Sequence, residues 1–321
     1  MKITDVSLFK VRGTYDGPYF PPGDRQVQAL DLYPEFNRRD WSRRRADGPD
    51  TITEIYLEIL TDEGITGLGE SGAWGYLEPS AAAVEKWKVY LIGQDPLRIE
   101  HHWQYLYRWS HFRGAAIMGA LSAIDIALWD IRGKALGMSV SELLGARRSR
   151  VPAYASALLW HEDPADLAAE AARHVREGYR AVKMRLGMNW KDDCQAVCAV
   201  RDAVGPEVRV MVDGSMRYSP AAALRLAHEL EAIGAFWFEE PFPPEEIGSF
   251  AVLRPRVDVP LAAGENAVDT FTYTMTDGSL VLVLKEQDKK WELSVARSQR
   301  KADEFDADGI VAEFESLLPV Y

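Results

Sequence analysis

The chain has 321 residues, of which 47% are hydrophobic and 27% charged, and this composition excludes an intrinsically disordered protein. Its formal net charge of −12 argues against nonspecific nucleic-acid binding, because phosphate contacts need a basic face of Lys and Arg. Two cysteines are too few for a zinc quartet or a disulfide framework. Because the sequence also shows no basic leader and no membrane-length apolar run, we expect a cytoplasmic protein without a membrane partner.

The first part of the chain predicts an antiparallel meander followed by helices. Residues 3–12, 53–60 and 66–70 have the alternating pattern of strands, and a polar turn separates the last two. From residue 78 to about 145, apolar residues recur at three- and four-residue spacing, which is typical of helices. We therefore predict an α+β domain over residues 1–145 and place Trp87, Trp103 and Trp109 in its core.

From residue 151, short apolar strands alternate with amphipathic helices. Strands are predicted at 151–156, 181–186, 208–213, 235–240 and 261–265, with helices at 164–177, 191–204, 220–233 and 245–253. This alternation indicates βα units and a parallel sheet. No glycine-rich nucleotide fingerprint follows any strand, so a TIM-like barrel is favoured over a doubly wound sheet. Residues 146–268 would supply only five of the eight strands that a complete barrel needs.

The pattern changes again in residues 269–321, which we interpret as an atypical tail. Strands at 271–275, 279–284 and 291–296, with an Asp-Gly turn at 277–278, predict a β-meander, and residues 308–318 predict a final helix. The barrel therefore looks incomplete. Exposed strand edges must be covered by the tail or by another chain, and we expect a homo-oligomer.

Three carboxylates end three consecutive predicted strands at equal intervals of 26 residues: Asp213, Glu239 and Glu265. The C-terminal ends of barrel strands meet at one mouth, where catalytic groups are placed. Converging carboxylates repel one another unless a cation such as Mg²⁺ binds between them. A helix-capping role would explain one such residue more readily than three at equal spacing. The sequence thus predicts a magnesium site.

Two cations lie on the strand that precedes Asp213. Lys183 and Arg185 alternate along it, so their side chains share one face. Because cations are costly inside a barrel unless anions meet them, the pair is placed to bind a substrate carboxylate or to move a proton near the metal. An ion pair with the acidic cluster is the structural alternative. Ser215, two residues after Asp213, would point the same way and touch the substrate.

Several motifs resemble one known family. The helix at 123–134, AIDIALWDIRGK, and the LLG at 143–145 are similar to the signature of the mandelate racemase and muconate lactonizing enzyme branch of the enolase superfamily. The Lys-x-Arg strand, Val212-Asp213, Glu239-Glu240-Pro241 and Gly264-Glu265-Asn266 follow in that family's order and spacing. The resemblance covers residues 1 to about 268.

The resemblance implies an N-terminal capping domain over a modified β/α barrel, and removal of the proton beside a substrate carboxylate with an enediolate held by magnesium. Asp213, Glu239 and Glu265 resemble the metal ligands, and Lys183 resembles the lysine that polarises the carboxylate. The loop at 13–23, with Tyr15 and Tyr19, resembles the lid that sets specificity. It is equally well explained as an ordinary connection.

Position 185 is where racemases and cycloisomerases of this family carry a second lysine as base. Arginine stays protonated and is a poor base, which points toward the acid-sugar dehydratases. Some of these use a histidine from a later strand, but none of the six histidines follows Glu265. We expect a magnesium-dependent lyase acting on a hydroxy acid or sugar acid. The alternatives are a racemase or cycloisomerase on the same scaffold, and a truncated family member that binds metal without turnover.

Overall fold

The computed structural model describes residues 1–14, 25–27, 31, 51–70, 77–111, 114–146, 148–266, 281–287 and 290–296, the last two segments by their backbone only. These residues fall into two compact units, one within residues 1–17 and 45–150 and the other within 18–44 and 151–317. No helix in the described part of the chain combines the length and apolar character needed to cross a bilayer.

The first unit contains a three-stranded antiparallel sheet in the order β1-β2-β3. Its strands are β1 (Ile3–Thr14), β2 (Thr51–Thr61) and β3 (Thr66–Glu70). Four helices follow: α1 (Leu77–Leu91), α2 (Ile99–Trp109), α3 (Ala115–Leu136) and α4 (Val140–Leu143). In β2, alternate residues from Ile55 to Thr61 are buried, as the period-two pattern requires. In β1, Ile3 and Val6 are buried three residues apart, because the pairing register shifts between Ile3 and Asp5. Both strands share one core with α1 and α3.

Strand β3 lies unusually close to helix α3. A Cβ atom on Gly67 would lie 2.0 Å from the carbonyl oxygen of Ala127, and one on Gly69 would lie 1.9 Å from that of Ala123. Glycine is therefore required at both positions for this approach. Between the two glycines, the amide of Leu68 donates to the Asp130 carboxylate at 2.9 Å, which fixes the helix against the strand.

The second unit contains five parallel strands in sequential order, each paired with the next. They are β4 (Ala155–Leu158), β5 (Ala181–Arg185), β6 (Arg209–Asp213), β7 (Trp237–Glu239) and β8 (Leu261–Ala262). The connecting helices are α5 (Pro164–Arg176), α6 (Trp190–Val204), α7 (Pro220–Ala232) and α8 (Ile247–Leu253), the last followed by a 3₁₀ turn at Arg254–Arg256. Sequential order without reversal is the order of a β/α barrel wall.

Side-chain caps define where three of these helices begin. The side chains of Asp163, Asn189 and Ser219 each accept a hydrogen bond from a backbone amide of the following first turn. These caps satisfy amides that have no partner within the helix. Each of these helices therefore begins at a defined residue soon after the preceding strand ends.

The predicted fold class is confirmed: an N-terminal α+β unit, and a parallel β/α sheet of barrel type that is incomplete among the described residues. Several strand limits differ from prediction. Strand β4 begins at Ala155 instead of 151, downstream of Pro152, which lacks an amide hydrogen. Strand β8 ends at Ala262, three residues before Glu265. Trp109, predicted to be in the core, is 40% exposed on α2.

In the tail, the structure describes one antiparallel pair of strands. Strand β9 (Val281–Gln287) pairs with β10 (Lys290–Ala296) to form a sheet separate from the five-stranded one. This pairing agrees with the antiparallel character predicted for the tail, although β9 begins later than expected. The predicted strand at 271–275, the turn at 277–278 and the helix at 308–318 lie outside the described residues.

Candidate metal and substrate site

The C-terminal ends of β5 to β8 bring the predicted site residues to one edge of the sheet. In the parallel register, Arg185 pairs with Asp213, Asp213 with Glu239, and Glu239 with Ala262. Asp213 and Glu239 are therefore direct neighbours at the last position of their strands. Because residues paired directly across neighbouring strands project to the same face of a sheet, both carboxylates are presented on the same side.

Glu265 reaches the same place by a different route. It lies beyond β8, after Gly264, whose φ of +124° is open to glycine and strained for other residues. Oxygen atoms of Asp213, Glu239 and Glu265 nevertheless lie within 4.8 Å of one another. Asp213 is buried, Glu239 half-buried and Glu265 exposed, so the cluster opens to solvent on the Glu265 side.

Lys183 lies between two of these carboxylates and is only 3% exposed. Its Nζ is 2.9 Å from Asp213 Oδ2, and 2.9 and 2.8 Å from the two oxygens of Glu239. Burial lowers the pKa of Lys183, but the two carboxylates outweigh burial and leave its pKa raised. Lys183 is therefore a buried ammonium whose hydrogen bonds are charge-assisted.

Asp213 and Glu239 are also held by neutral donors. The backbone amide of Ser215 donates to Asp213 Oδ1 at 2.9 Å, and the indole Nε1 of Trp237 donates to Glu239 Oε2 at 3.1 Å. Burial raises the pKa of Glu239, and Lys183 opposes that shift without cancelling it. These contacts fix the direction in which each carboxylate offers its remaining oxygen lone pairs.

The turns after β6 and β7 are joined by backbone hydrogen bonds that extend the parallel ladder beyond the strands. The amides of Gly214, Met216 and Tyr218 donate to the carbonyls of Glu239, Glu240 and Pro241 at 2.7, 2.8 and 3.0 Å. Ser215, Met216 and Glu240 all have positive φ, at +50°, +58° and +37°. Such conformations cost about 1–3 kcal/mol each for non-glycine residues, and they cluster at functional sites.

The other predicted site residues are not all part of this cluster. Arg185 is half-buried, and within the described structure its side chain makes no hydrogen bond or ion pair. The half-buried Ser215 contributes its amide to Asp213, and its predicted contact with a substrate stays a prediction. Tyr15 and Tyr19, the predicted lid residues, lie outside the described residues.

Two residues that contribute to the site were not predicted. Trp237, two residues before Glu239 in β7, donates a hydrogen bond from its indole to the Glu239 carboxylate. Glu240, the residue that follows Glu239, is buried. The pair of adjacent glutamates before Pro241 was the one sequence pattern that could have indicated a role for Glu240. Its hydrogen-bond partners lie in another βα unit, and no local pattern reveals them.

The chemistry of this donor set fits a hard divalent cation. All three candidate ligands offer carboxylate oxygen, which Mg²⁺ prefers, and the exposed Glu265 leaves room for water or substrate ligands. Three carboxylates face a single ammonium, so a divalent cation would balance the local charge. Asp213, Glu239 and Glu265 are the residues that would hold it.

Comparison with known proteins identifies relatives of both units. The family model for the mandelate racemase / muconate lactonizing enzyme N-terminal domain matches residues 49–145, and that for the enolase C-terminal domain-like family matches residues 166–276. The D-galactarolactone cycloisomerase of Agrobacterium fabrum is 38% identical over 222 residues, covering 67% of this chain and 58% of that protein. The D-galactonate dehydratase of Verminephrobacter eiseniae is 37% identical over 232 residues, covering 68% and 60%.

A solved structure supports the same relationship. The L-talarate dehydratase from Polaromonas sp. JS666, crystallised with Mg and L-glucarate, superposes with a TM-score of 0.62 at 30% identity, covering 67% of this chain and 62% of that one. In all three comparisons the chain spans less than two thirds of the length of the relative that it matches.

Proposed function

Because the chain belongs to the mandelate racemase and muconate lactonizing enzyme branch of the enolase superfamily, we propose that it is a magnesium-dependent lyase of the acid-sugar dehydratase type. It would remove the proton beside the carboxylate of a hydroxy acid and release the β-hydroxyl as water. The observation that carries this proposal is the meeting of Asp213, Glu239 and Glu265 beside the buried ammonium of Lys183.

The names of the relatives support the substrate class. One curated relative is a D-galactonate dehydratase, and one solved neighbour is an L-talarate dehydratase crystallised with Mg and L-glucarate. Both names refer to sugar acids, which carry a carboxylate next to hydroxylated carbons. When bound, magnesium would supply concentrated positive charge beside that carboxylate.

The chain's own residues would orient the substrate. Lys183 has an ammonium fixed between two carboxylates and can donate to a substrate carboxylate that approaches the cluster. Arg185, one pleat further along β5, remains protonated and would bind a carboxylate or a hydroxyl oxygen rather than remove a proton. Ser215 and the predicted lid residues Tyr15 and Tyr19 are our candidates for contacts that select the substrate.

A cycloisomerase is the second candidate function. It is favoured by the Agrobacterium fabrum relative, which is named for D-galactarolactone and matches at 38% identity. A dehydratase product has lost one water, whereas a cycloisomerase product has the mass of its substrate. Mass spectrometry of the products from D-galactonate, L-glucarate and D-galactarolactone would therefore separate the two reactions.

Turnover of acid sugars is expected to be very slow or absent. A dehydratase needs an acid for the departing hydroxyl as well as a base for the proton, and each typically contributes ~10² to 10⁴-fold. The sequence contains no histidine after Glu265. Incubation of each acid with enzyme and Mg²⁺ in D₂O would measure both deuterium uptake beside the carboxylate and water loss.

We expect Lys183→Met to abolish any deuterium uptake that wild type shows, and we expect little dehydration in either protein. The matched control is Lys191→Met, which removes an exposed lysine at the start of α6 and should leave exchange unchanged. Exchange that persists in Lys183→Met would make this lysine structural. Dehydration at ~1 to 10³ per second, the usual range of enzymes, would show that the tail supplies an acid–base group.

A further inference from the structure

Glu240 is a buried carboxylate with an unusual set of partners. It is 5% exposed, and within the described structure no Lys, Arg or His pairs with it. Its charge is met by three N–H groups from one short segment. Oε1 accepts from the backbone amides of Gly264 and Asn266 at 3.1 and 3.3 Å, and Oε2 accepts from the Asn266 side-chain amide at 2.6 Å.

These donors enclose Glu265 on both sides. Strand β8 has already ended at Ala262, so the ladder of parallel hydrogen bonds no longer determines where Glu265 lies. Among the described residues, the Glu265 side chain makes no hydrogen bond or ion pair of its own. Contacts to the residues immediately before and after it are therefore what determines its place beside Asp213 and Glu239.

Glu240 is itself held firmly enough to serve as this anchor. Its backbone amide donates to the carbonyl of Ala262 at 2.9 Å, and its carbonyl accepts from the amide of Met216 at 2.8 Å. It thus connects the segments that follow β6, β7 and β8. Its φ of +37° is costly for a side-chain-bearing residue and persists only when surrounding contacts outweigh the cost.

We propose that Glu240 is a positioning residue for Glu265, whose carboxylate it brings to the metal site by binding the backbone on either side. The identification of the metal as Mg²⁺ rests on the proposed function. Glu240 is not proposed as a ligand, because both of its oxygens are turned toward Gly264 and Asn266. Glu240 contributes by holding the Glu265 carboxylate in position, and the negative charge of Glu240 itself is not required at the cation.

Two substitutions distinguish the loss of the hydrogen bonds that position Glu265 from the loss of the negative charge of Glu240. Glu240→Ala removes all three acceptor contacts, and we expect Mg²⁺ affinity, measured by calorimetry, to fall by about 10- to 100-fold, as is typical for residues that orient metal ligands. Glu240→Gln keeps one oxygen for the two backbone amides. The Asn266 amide can rotate to accept from the new NH₂, so this neutral variant should stay within about threefold of wild type.

A matched control exists at the opposite end of β8. Glu231, near the end of α7, accepts through one oxygen from the backbone amides of Asp258 and Val259, just before the strand. Glu231→Ala removes the same kind of tether from the same strand and should leave Mg²⁺ affinity unchanged. Equal losses in Glu231→Ala and Glu240→Ala would show that general destabilisation causes both, which overturns the proposal.

Amide hydrogen exchange tests the tether without metal. The amides of Gly264 and Asn266 should exchange faster in Glu240→Ala than in wild type or Glu240→Gln. If Glu240→Ala does not fold, Asn266→Ala removes only the side-chain arm and should produce a smaller change in the same direction. Unchanged exchange, or equal Mg²⁺ losses in the glutamine and alanine variants, would overturn the inference. A wild type that protects these amides but binds no Mg²⁺ would instead defeat the proposed function.

Discussion

Lys183 and its two carboxylate partners show how one buried charge organises a site. An ammonium that is 3% exposed is stable only where anions replace its lost hydration, and Asp213 and Glu239 both do so at hydrogen-bonding distance. The alternating positions of Lys183 and Arg185 predicted that β5 would place cations near the acidic cluster. Which of these two cations contacts the carboxylates depends on the neighbouring strands, and the pattern of β5 alone does not determine it.

Replacing each candidate ligand by its amide tests the metal site directly. Asp213→Asn, Glu239→Gln and Glu265→Gln each remove one negative charge from the cluster. We expect each to weaken Mg²⁺ binding by at least about tenfold, or 1.4 kcal/mol, in calorimetric titrations. Asp166→Asn, at an exposed position on α5, is the control. Undiminished binding in all three variants would refute the assignment.

Another buried carboxylate, that of Asp193, predicts a dependence of stability on pH. It is fully buried on α6 and accepts from the hydroxyl of Tyr218 at 2.8 Å. Burial raises the pKa of Asp193 to about 6, and the hydrogen bond from Tyr218 only partly offsets this. The native state therefore favours the protonated acid, and ionisation destabilises it as the pH rises through about 6.

Asp193→Asn removes this ionisation. Relative to the variant, wild type should lose about 2 kcal/mol of unfolding free energy between pH 4 and pH 8, because its native pKa lies above the unfolded value. Urea denaturation of both proteins at several pH values measures the difference. A difference that is constant with pH would mean that Asp193 titrates normally in the folded protein.

At the scale of elements, the contact between β3 and α3 depends on the absence of side chains. Gly69→Ala would place a methyl group 1.9 Å from the Ala123 carbonyl oxygen unless the helix moved away. We expect a loss of about 1–3 kcal/mol in unfolding free energy from this overpacking. Gly13→Ala in β1, where an added Cβ meets nothing within 4 Å, is the control and should be close to neutral. Equal stability of the two variants in thermal denaturation would contradict the close approach.

The elements could be predicted where a periodic pattern is strong. The apolar runs before Asp213 and Glu239, and the helices after capping residues such as Asp163 and Ser219, appear within a few residues of their predicted limits. The equal spacing of Asp213, Glu239 and Glu265 was also visible in the sequence. Periodicity reports which residues are buried, and burial of one face is what determines these strands and helices.

The turn that carries Glu265 could not be predicted in the same way. Strand β8 was expected to continue to Glu265, but it ends at Ala262, and Gly264 then adopts a left-handed conformation. The geometry of this turn is determined by Glu240, 24 residues earlier, through hydrogen bonds that have no periodic signature. Non-local side-chain-to-backbone contacts of this kind are visible only once the strands are paired.

At the scale of the whole molecule, the two units have separate hydrophobic cores. The buried cluster around α3 and the buried cluster around β5 to β7 have no residue in common. All three candidate metal ligands belong to the second unit. A cation that binds only the native site therefore stabilises that unit directly.

We accordingly expect Mg²⁺ to raise the thermal stability of the second unit, by about 2.7 kcal/mol at a hundredfold excess over its dissociation constant. Differential scanning calorimetry with and without the ion would measure the shift. Glu265→Gln, on the exposed side of the cluster, should reduce the shift at the same ion concentration. A shift of equal size in this variant would place the stabilising ion elsewhere on the chain.

The backbone ladder across the ends of β6, β7 and β8 has a consequence for sequence change. Because the site is determined by strand register, amino acids can be inserted or deleted in a connecting helix without altering the spacing of the carboxylates in space. Loss of a single residue inside β6 would instead turn Asp213 to the opposite face. The constant interval of 26 residues is thus a by-product of repeated architecture, and divergence among homologous chains should accumulate in the helices before it reaches the strand ends.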